Sequence, residues 1–199
     1  DYEELQLETS ADGILTGFCN INEDEVGEDN SHAAAIIYDY SVLAGSQGFF
    51  HHQKLDRICE KAEEFSLPVV IFTEGGGGRP GDTDVTTQIA GLHIPSFSTW
   101  ARLTGKCLKI AVNNGYCFAG NAVLFGCSDF MIATKQSWIG MAGPAMIEGG
   151  GLGVYDPKEI GPAEEQYKNG VLDYLAEDEK DATFIAKKLL SYFQGNLSD

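Results

Sequence analysis

Two glycine-rich segments contain the residues that are best suited to chemistry. The first, Glu74–Gly81 (EGGGGRPG), directly follows Val69–Thr73, an apolar run typical of a buried strand. The second, Asn113–Asn121 (NNGYCFAGN), follows another such run, Leu108–Val112. Glycine lets a backbone N–H approach a ligand closely, and N–H groups at the start of a helix favour negative charge. The two segments therefore predict two backbone donors for one developing oxyanion.

A nucleotide-binding interpretation of the first segment fails on its context. Gly76–Gly81 formally matches GxGxxG, but Pro80 and Gly81 make a poor first helical turn and Asp82 would face a pyrophosphate. No Asp or Glu occurs between Val85 and Ser128, where the ribose-binding acid is expected. No GK[ST] follows, which excludes a P-loop. A flexible surface turn stays open as the alternative.

Other catalytic and metal-binding patterns are weak. The segment Ala44–Gly48 (AGSQG) misses GxSxG at its first position. No histidine lies in HExxH, and no pair of the five cysteines is spaced as CxxC, so we predict no metal and no disulfide framework. A catalytic cysteine with a histidine partner stays open. Free thiols favour the cytoplasm or another reducing compartment.

The charge of the chain excludes several partners. The 199 residues carry 30 Asp and Glu against 13 Lys and Arg, a net charge of −17. This balance argues against nucleic acid and anionic membranes as partners, and no apolar run is long enough to span a bilayer. The chain begins Asp1-Tyr2-Glu3-Glu4, without Met or the features of a signal peptide. Residues 1–53 contain no Lys or Arg, so an anionic ligand should bind in the charge-neutral middle.

The elements that would position the glycine segments alternate between strand and helix. Apolar runs predict strands, helical spacing predicts helices, and Gly115–Gly120 is expected to be a turn. Gly140–Gly153 contains six glycines and is expected to be a loop. The predicted strands are Gly13–Asn20, Ala33–Tyr40, Val69–Thr73, Leu108–Val112, Phe130–Ala133 and Val171–Leu175. The predicted helices are Lys54–Phe65, Pro95–Thr104, Asn121–Gly126 and Asp178–Phe193. This alternation predicts an α/β fold with largely parallel strands.

Four segments together resemble the carboxyltransferase of biotin-dependent acyl-CoA carboxylases. They are the EGGGGRPGD loop from Glu74, Asn114–Asn121 (NGYCFAGN), Ile139–Gly153 (IGMAGPAMIEGGGLG) and Tyr38–Gly48 (YDYSVLAGSQG). The resemblance runs from about Ala11 to Gly195. It implies a single domain with the crotonase/ClpP-like ββα spiral, and residues 1–199 would be the N-terminal half of a carboxyltransferase. Residues 1–10 are expected to be a loosely ordered leader.

The resemblance implies a reaction that this half carries out together with other domains. The half would bind acyl-CoA, and a second carboxyltransferase half would present carboxybiotin, so the chain alone should be inactive. Biotin would sit on a carrier domain loaded by a biotin carboxylase domain, not on this chain, which lacks a Met-Lys-Met sequence. A homo-oligomer is also expected.

The resemblance assigns site residues one by one. The backbone of Gly77 or Gly78 would be one oxyanion donor and Gly120 the other. Many relatives have Ala in place of Gly78 and Gly in place of Asn121, and the second difference bears on the geometry of the hole. The expected acyl-CoA contacts are Ser46, Gln47, Gly76, Arg79, Phe118, Ala119, Asn121 and Met141. Candidate phosphate contacts are Lys54, Arg57, Lys61 and Arg79.

The sequence lacks the catalytic residues of crotonase-fold enzymes that carry out other reactions. Crotonase-type hydratases need a pair of acids, but the corresponding positions are Val123 and about Gly143. Clp-type proteases need a serine where Asn121 and Ala122 stand. A non-catalytic crotonase-fold subunit, or an isomerase or hydrolase that uses Glu74 or Glu148, remains an alternative.

Overall fold

The computed structural model describes residues 9–79 and 94–195. Within them, strands and helices alternate along most of the chain. The strands are β1 Ile14–Asn20, β2 His32–Tyr38, β3 Val69–Phe72, β4 Lys109–Asn113, β5 Tyr116–Phe118, β6 Phe130–Thr134, β7 Trp138–Gly140 and β8 Tyr174–Ala176. The α-helices are α1 Glu23–Val26, α2 Glu28–Ser31, α3 Phe49–Phe65, α4 Ser96–Arg102, α5 Gly120–Gly126, α6 Pro144–Gly149, α7 Ala163–Lys168 and α8 Glu179–Ser191. Short 3₁₀ turns cover Ser10–Gly13, Leu43–Gly45 and Pro157–Glu159.

Six strands form one sheet in the order β1-β2-β3-β4-β6-β8. β1 and β2 are an antiparallel pair, and every later neighbour in the sheet is parallel. β5 and β7 form a second, two-stranded parallel sheet. Parallel neighbours need crossover connections, which the intervening helices provide. The α/β class predicted from the sequence is confirmed.

Side chains of the central strands point alternately to the two faces of the sheet, and both faces are buried. Ile71 and Ala111 point into a cluster with α3, α4 and α5, whereas Val70, Ile110 and Val112 point into a cluster with α8. This two-residue period is the one that a pleated strand imposes. Helices on both faces therefore hold β3 and β4 rigidly, and the glycine segments leave the sheet from these strands.

Several predicted boundaries differ from the structure. The helix expected over Lys54–Phe65 begins at Phe49, because Gly48 is extended and the helical turn starts directly after it. The turn expected at Gly115–Gly120 is wrong, since Tyr116–Phe118 is strand β5, and its partner β7 lies far along the chain. The glycine-rich loop from Gly140 contains the short helix α6.

Some expectations concern residues outside the described ranges. Of the expected leader, residues 1–8 lie outside them, and Ser10 begins a 3₁₀ turn. Pro80, Gly81 and Asp82 of the first glycine segment also lie outside. Among the helices of the described residues, none combines the length and apolar character required to cross a bilayer.

Candidate functional site

The two glycine segments meet where β3 and β4 end. These strands are parallel neighbours, so their carboxyl ends lie at the same edge of the sheet. Gly75 N–H donates to the Tyr116 carbonyl over 2.7 Å, and Phe118 N–H donates to the Gly75 carbonyl over 2.8 Å. The first segment is thereby joined to β5, the strand that leads into Ala119 and helix α5.

The chain before helix α3 holds the first segment on its other side. Gln47 N–H donates to the Gly77 carbonyl over 2.8 Å, and Arg79 N–H donates to the Gln47 carbonyl over 2.9 Å. These two bonds flank Gly78, which is exposed and whose own N–H has no acceptor among residues 9–79 and 94–195. Within the described part of the chain, the Gly78 N–H is therefore left for a ligand to accept.

Gly77 has a different role from Gly78. It is buried with φ +91°, and its N–H donates to Asn121 Oδ1 over 3.0 Å. A Cβ on Gly77 would lie 2.6 Å from Ala119 Cβ and 3.3 Å from the Gly120 nitrogen. Of the two alternatives for the first donor, the geometry thus favours Gly78, because the Gly77 N–H is already bonded.

The second donor position lies at the start of α5. Ala119 has φ 50° and ψ −118°, a conformation that strains a residue with a Cβ, and its N–H donates to the Gly140 carbonyl over 3.0 Å. Gly120 is partly exposed, and no acceptor for its N–H lies in the described part of the chain. A Cβ on Gly120 would lie 2.4 Å from Gln47 Oε1 and 3.2 Å from Phe97 Cζ. A side chain at this position would therefore force Gln47 and Phe97 to shift.

Two buried amide side chains surround these glycines. Asn121 is fully buried, and its Nδ2 donates to the carbonyls of Thr73 over 3.1 Å and Gly45 over 3.4 Å. Gln47 is almost fully buried, and its Nε2 donates to the Tyr38 hydroxyl over 3.1 Å. Gln47 Oε1 is buried without a partner in the described residues. Both amides therefore face the interior of the protein rather than solvent.

The other predicted substrate contacts are distributed around the same loops. Ser46 Oγ donates to the Leu43 carbonyl over 2.6 Å, and Gly76 is exposed. Phe118 is nearly buried, whereas Met141 is 66% exposed at the end of β7. The structure thus brings Ser46, Gly76 and Phe118 to the loops that carry Gly78 and Gly120, and it leaves Met141 on the surface beside them.

Arg79 is held by an acid that sequence analysis missed. Its guanidinium forms an ion pair with Asp12, and both side chains are largely buried. The second Asp12 oxygen accepts the backbone N–H of His51 over 2.6 Å. No sequence signal identifies Asp12, because the pairing brings together residues 67 positions apart.

Ionisable side chains near the site are neutral or engaged. Burial raises the pKa of the Glu74 carboxyl, whose Oε1 accepts the backbone N–H of Asn114. Burial also raises the pKa of Cys117, so this thiol does not form a thiolate near neutral pH. His51 is fully buried, and burial, with neighbouring His52, lowers its pKa to about 3. Glu148 is exposed on α6.

In the described residues, no three His, Cys, Asp or Glu side chains group in a way that could hold a metal ion. The expectation of a metal-free site remains a prediction.

Comparison with known proteins identifies the family. A model of the carboxyl transferase domain matches residues 26–198. The chain belongs to this family. It is 30% identical over 187 residues to the methylmalonyl-CoA carboxyltransferase 12S subunit of Propionibacterium freudenreichii subsp. shermanii, covering 94% of this chain and 34% of that subunit. The resemblance found in the sequence is confirmed.

Solved carboxyltransferase structures share the fold. A single-chain, multi-domain long-chain acyl-CoA carboxylase superposes with a TM-score of 0.92 at 50% identity, covering 99% of this chain and 19% of that protein. A transcarboxylase 12S structure, described as a hexamer assembly, superposes with a TM-score of 0.76 at 29% identity, covering 91% and 34% of the two chains. The crotonase-like fold is thereby confirmed. The chain spans only about a third of the 12S subunit.

Proposed function

We propose that this carboxyl transferase domain is the acyl-CoA-binding half of a biotin-dependent acyl-CoA carboxyltransferase. The observation that carries the proposal is the meeting of two loops that each present a backbone N–H with no acceptor among residues 9–79 and 94–195, at Gly78 and at Gly120. Both residues are accessible, whereas the adjacent Gly77 N–H is buried and bonded. Such preorganised donors stabilise charge that develops on an oxygen.

The chemistry follows from what these donors can do. Carboxybiotin on a separate carrier would supply CO2 and, as its N–CO2 bond breaks, a ureido nitrogen that can take the α-proton of the acyl-CoA. The α-carbon of the resulting enolate would then form a bond to the CO2. The N–H groups of Gly78 and Gly120 would donate to the thioester oxygen as it becomes an enolate oxygen. The two loops would position the acyl-CoA, and no side chain of this chain would need to act as an acid or a base. Glu74 Oε1 accepts the Asn114 N–H and so links the two glycine segments.

A groove beside β1 provides candidate contacts for the phosphates of coenzyme A. It has a volume of about 500 Å³, and Lys54, Arg57 and Lys61 of α3 line it together with Leu15 and Phe18. Helical spacing places the three cations along one side of the helix. Arg79, the fourth candidate, is paired with Asp12 instead.

Calorimetric titration with a long-chain acyl-CoA tests these phosphate contacts. Replacing both Arg57 and Lys61 by Ala should weaken binding about 100-fold or more, because each charge-assisted hydrogen bond contributes roughly 1.5–3 kcal/mol. Lys135→Ala is the matched control, since Lys135 is an exposed lysine paired with Glu177 on another face. Equal affinities for all three proteins would exclude the groove as the phosphate site.

The substrate and partners are part of the proposal. The 50% identity to a long-chain acyl-CoA carboxylase favours a long-chain acyl-CoA, and the likeness to a hexameric transcarboxylase favours a homo-oligomer. The chain alone should bind acyl-CoA without turnover. A second carboxyltransferase half, a biotin carboxylase and a biotinylated carrier should restore incorporation of labelled bicarbonate into acyl-CoA. Turnover of acyl-CoA by the chain alone would favour an isomerase or hydrolase instead.

A further inference from the structure

The side chain of Asn121 links three backbone segments at the site. Its Oδ1 accepts the Gly77 N–H over 3.0 Å, and its Nδ2 donates to the carbonyls of Thr73 and Gly45. These three backbone partners belong to different segments. Gly77 lies in the glycine loop, Thr73 at the end of β3, and Gly45 in the turn before α3. The amide of Asn121 has therefore used its main polar groups within the protein.

The packing around this amide leaves little freedom. Asn121 has no exposed surface. A Cβ on Gly75 would lie 2.2 Å from Asn121 Nδ2 and 2.2 Å from the Gly45 carbonyl oxygen. The glycine loop thus closes directly onto the Asn121 amide, and a shift of this side chain would be transmitted to the loop.

The hydrogen bond between Gly77 and Asn121 lies directly beside both proposed oxyanion donors. Asn121 directly follows Gly120, and Gly77 directly precedes Gly78. One hydrogen bond, between Gly77 and Asn121, therefore connects the two residues adjacent to the proposed donors. It spans 44 positions of the sequence and joins the two loops across the site.

We propose that Asn121 is a positioning residue that sets the separation between the Gly78 and Gly120 N–H groups, and that it does not contact acyl-CoA. This inference rests on the proposed function. It reassigns Asn121 from the acyl-CoA contacts expected from the sequence to the support of the oxyanion donors. Misplacement of a reacting group by about 1 Å can lower a rate on the order of 100-fold.

Hydrogen exchange in the wild-type chain tests the geometry without any substitution. The Gly77 amide should exchange at least about 100-fold more slowly than the exposed Gly78 amide, which has no acceptor in the described ranges, as local protection by a buried hydrogen bond requires. NMR or mass spectrometry with fragmentation resolves the two positions. Equal exchange at Gly77 and Gly78 would overturn the proposal.

Steady-state kinetics of the assembled carboxylase tests the role. Asn121→Ala should lower kcat about 10- to 100-fold, leave the KM for acyl-CoA within about twofold, and speed Gly77 exchange. The matched control is Gln194→Ala, because Gln194 is another buried amide with two side-chain hydrogen bonds, to Ile21 and Asn22, at the opposite end of the sheet. This control should lose stability and keep kcat.

The other outcomes separate the alternatives. A raised KM with unchanged kcat would show that Asn121 contacts the substrate, and a lower melting temperature with unchanged kcat would show a purely structural role. Either result overturns the inference. If the wild-type assembly transferred no carboxyl group, the proposed function would fail, and Gly77 exchange would still decide whether Asn121 holds the loop.

Discussion

The contrast between Gly77 and Gly78 allows a sharp test of the loop geometry. Gly77 has φ +91°, and its added Cβ would lie 2.6 Å from Ala119 Cβ, although carbon atoms normally approach to about 3.5–4.0 Å. For Gly77→Ala, the strained backbone costs about 1–3 kcal/mol and the overlap about 1–3 kcal/mol. The expected loss is therefore about 2–6 kcal/mol, a large share of the stability of an ordinary domain.

Gly78→Ala is the matched control. Gly78 lies outside the left-handed region, and no atom of the described residues lies within 4 Å of its added Cβ. Its stability should change by no more than about 0.5 kcal/mol. Urea unfolding followed by tryptophan fluorescence measures both variants. Adding Ala119→Gly to Gly77→Ala removes the overlapping methyl, which should recover about 1–3 kcal/mol, beyond the roughly 1 kcal/mol expected from release of strain at Ala119 itself. Equal stability of the two single variants would refute the described loop geometry.

Three further predictions concern other buried groups. His51→Phe should remove one contribution to the fall of stability below pH 6.5. The folded pKa of about 3 lies below the unfolded value, so His51 costs the wild type about 1.4 kcal/mol per pH unit as pH falls from 6.5 toward 3. In urea titrations from pH 7 to 4.5, the stability of the wild type should fall more steeply than that of His51→Phe by about this slope, and parallel profiles would contradict a neutral, buried His51. Asp12→Asn should cost about 3 kcal/mol in unfolding free energy by removing the negative charge that faces the buried Arg79 guanidinium, whereas Glu165→Gln at the exposed Glu165–Lys168 pair should cost below about 1 kcal/mol, and similar losses would contradict the buried-pair assignment. Ala119→Gly should raise the free energy of unfolding by about 1 kcal/mol, because relief of the strained backbone at residue 119 exceeds the entropic cost of glycine. Thermal unfolding measures this change, and a net loss of stability would argue against strain at this residue.

The main strands were predictable because their signals are local. Apolar runs such as Val69–Thr73 and Leu108–Val112 are buried on both faces, and such runs identify strands without knowledge of their partners. β5 and β7 are three residues each and depend on each other across the chain, so no local pattern identifies them. The same limit explains why Gly115–Gly120 was predicted as a turn.

The site was predictable only in part for the same physical reason. The order of the glycine segments placed Gly78 and Gly120 on adjacent loops. The choice between Gly77 and Gly78 needed the bond from Gly77 to Asn121, which no spacing rule indicates. The environment of Arg79 likewise depends on Asp12, which approaches it only in the folded chain.

The structure also shows which glycine is the better position for a substitution that removes an oxyanion-donor N–H. Gly120→Pro looks tolerable from sequence because proline suits the first helical position. However, Ala119 has ψ −118°, outside the range that a residue before proline prefers, and a Cβ at position 120 meets Gln47 Oε1. Gly78 is the better target, because its Cβ position is open and its N–H has no acceptor in the described residues.

The rate of carboxyl transfer by Gly78→Pro relative to Gly78→Ala tests the central claim most directly. In both variants the added Cβ meets no atom of the described residues within 4 Å, and only proline also removes the N–H. With labelled bicarbonate and the assembled carboxylase, Gly78→Ala should keep its activity, and Gly78→Pro should lose about 100- to 1000-fold in kcat, the cost of one oxyanion donor. A folded Gly78→Pro enzyme that transfers carboxyl groups at the rate of Gly78→Ala would contradict the assignment of Gly78 as an oxyanion donor.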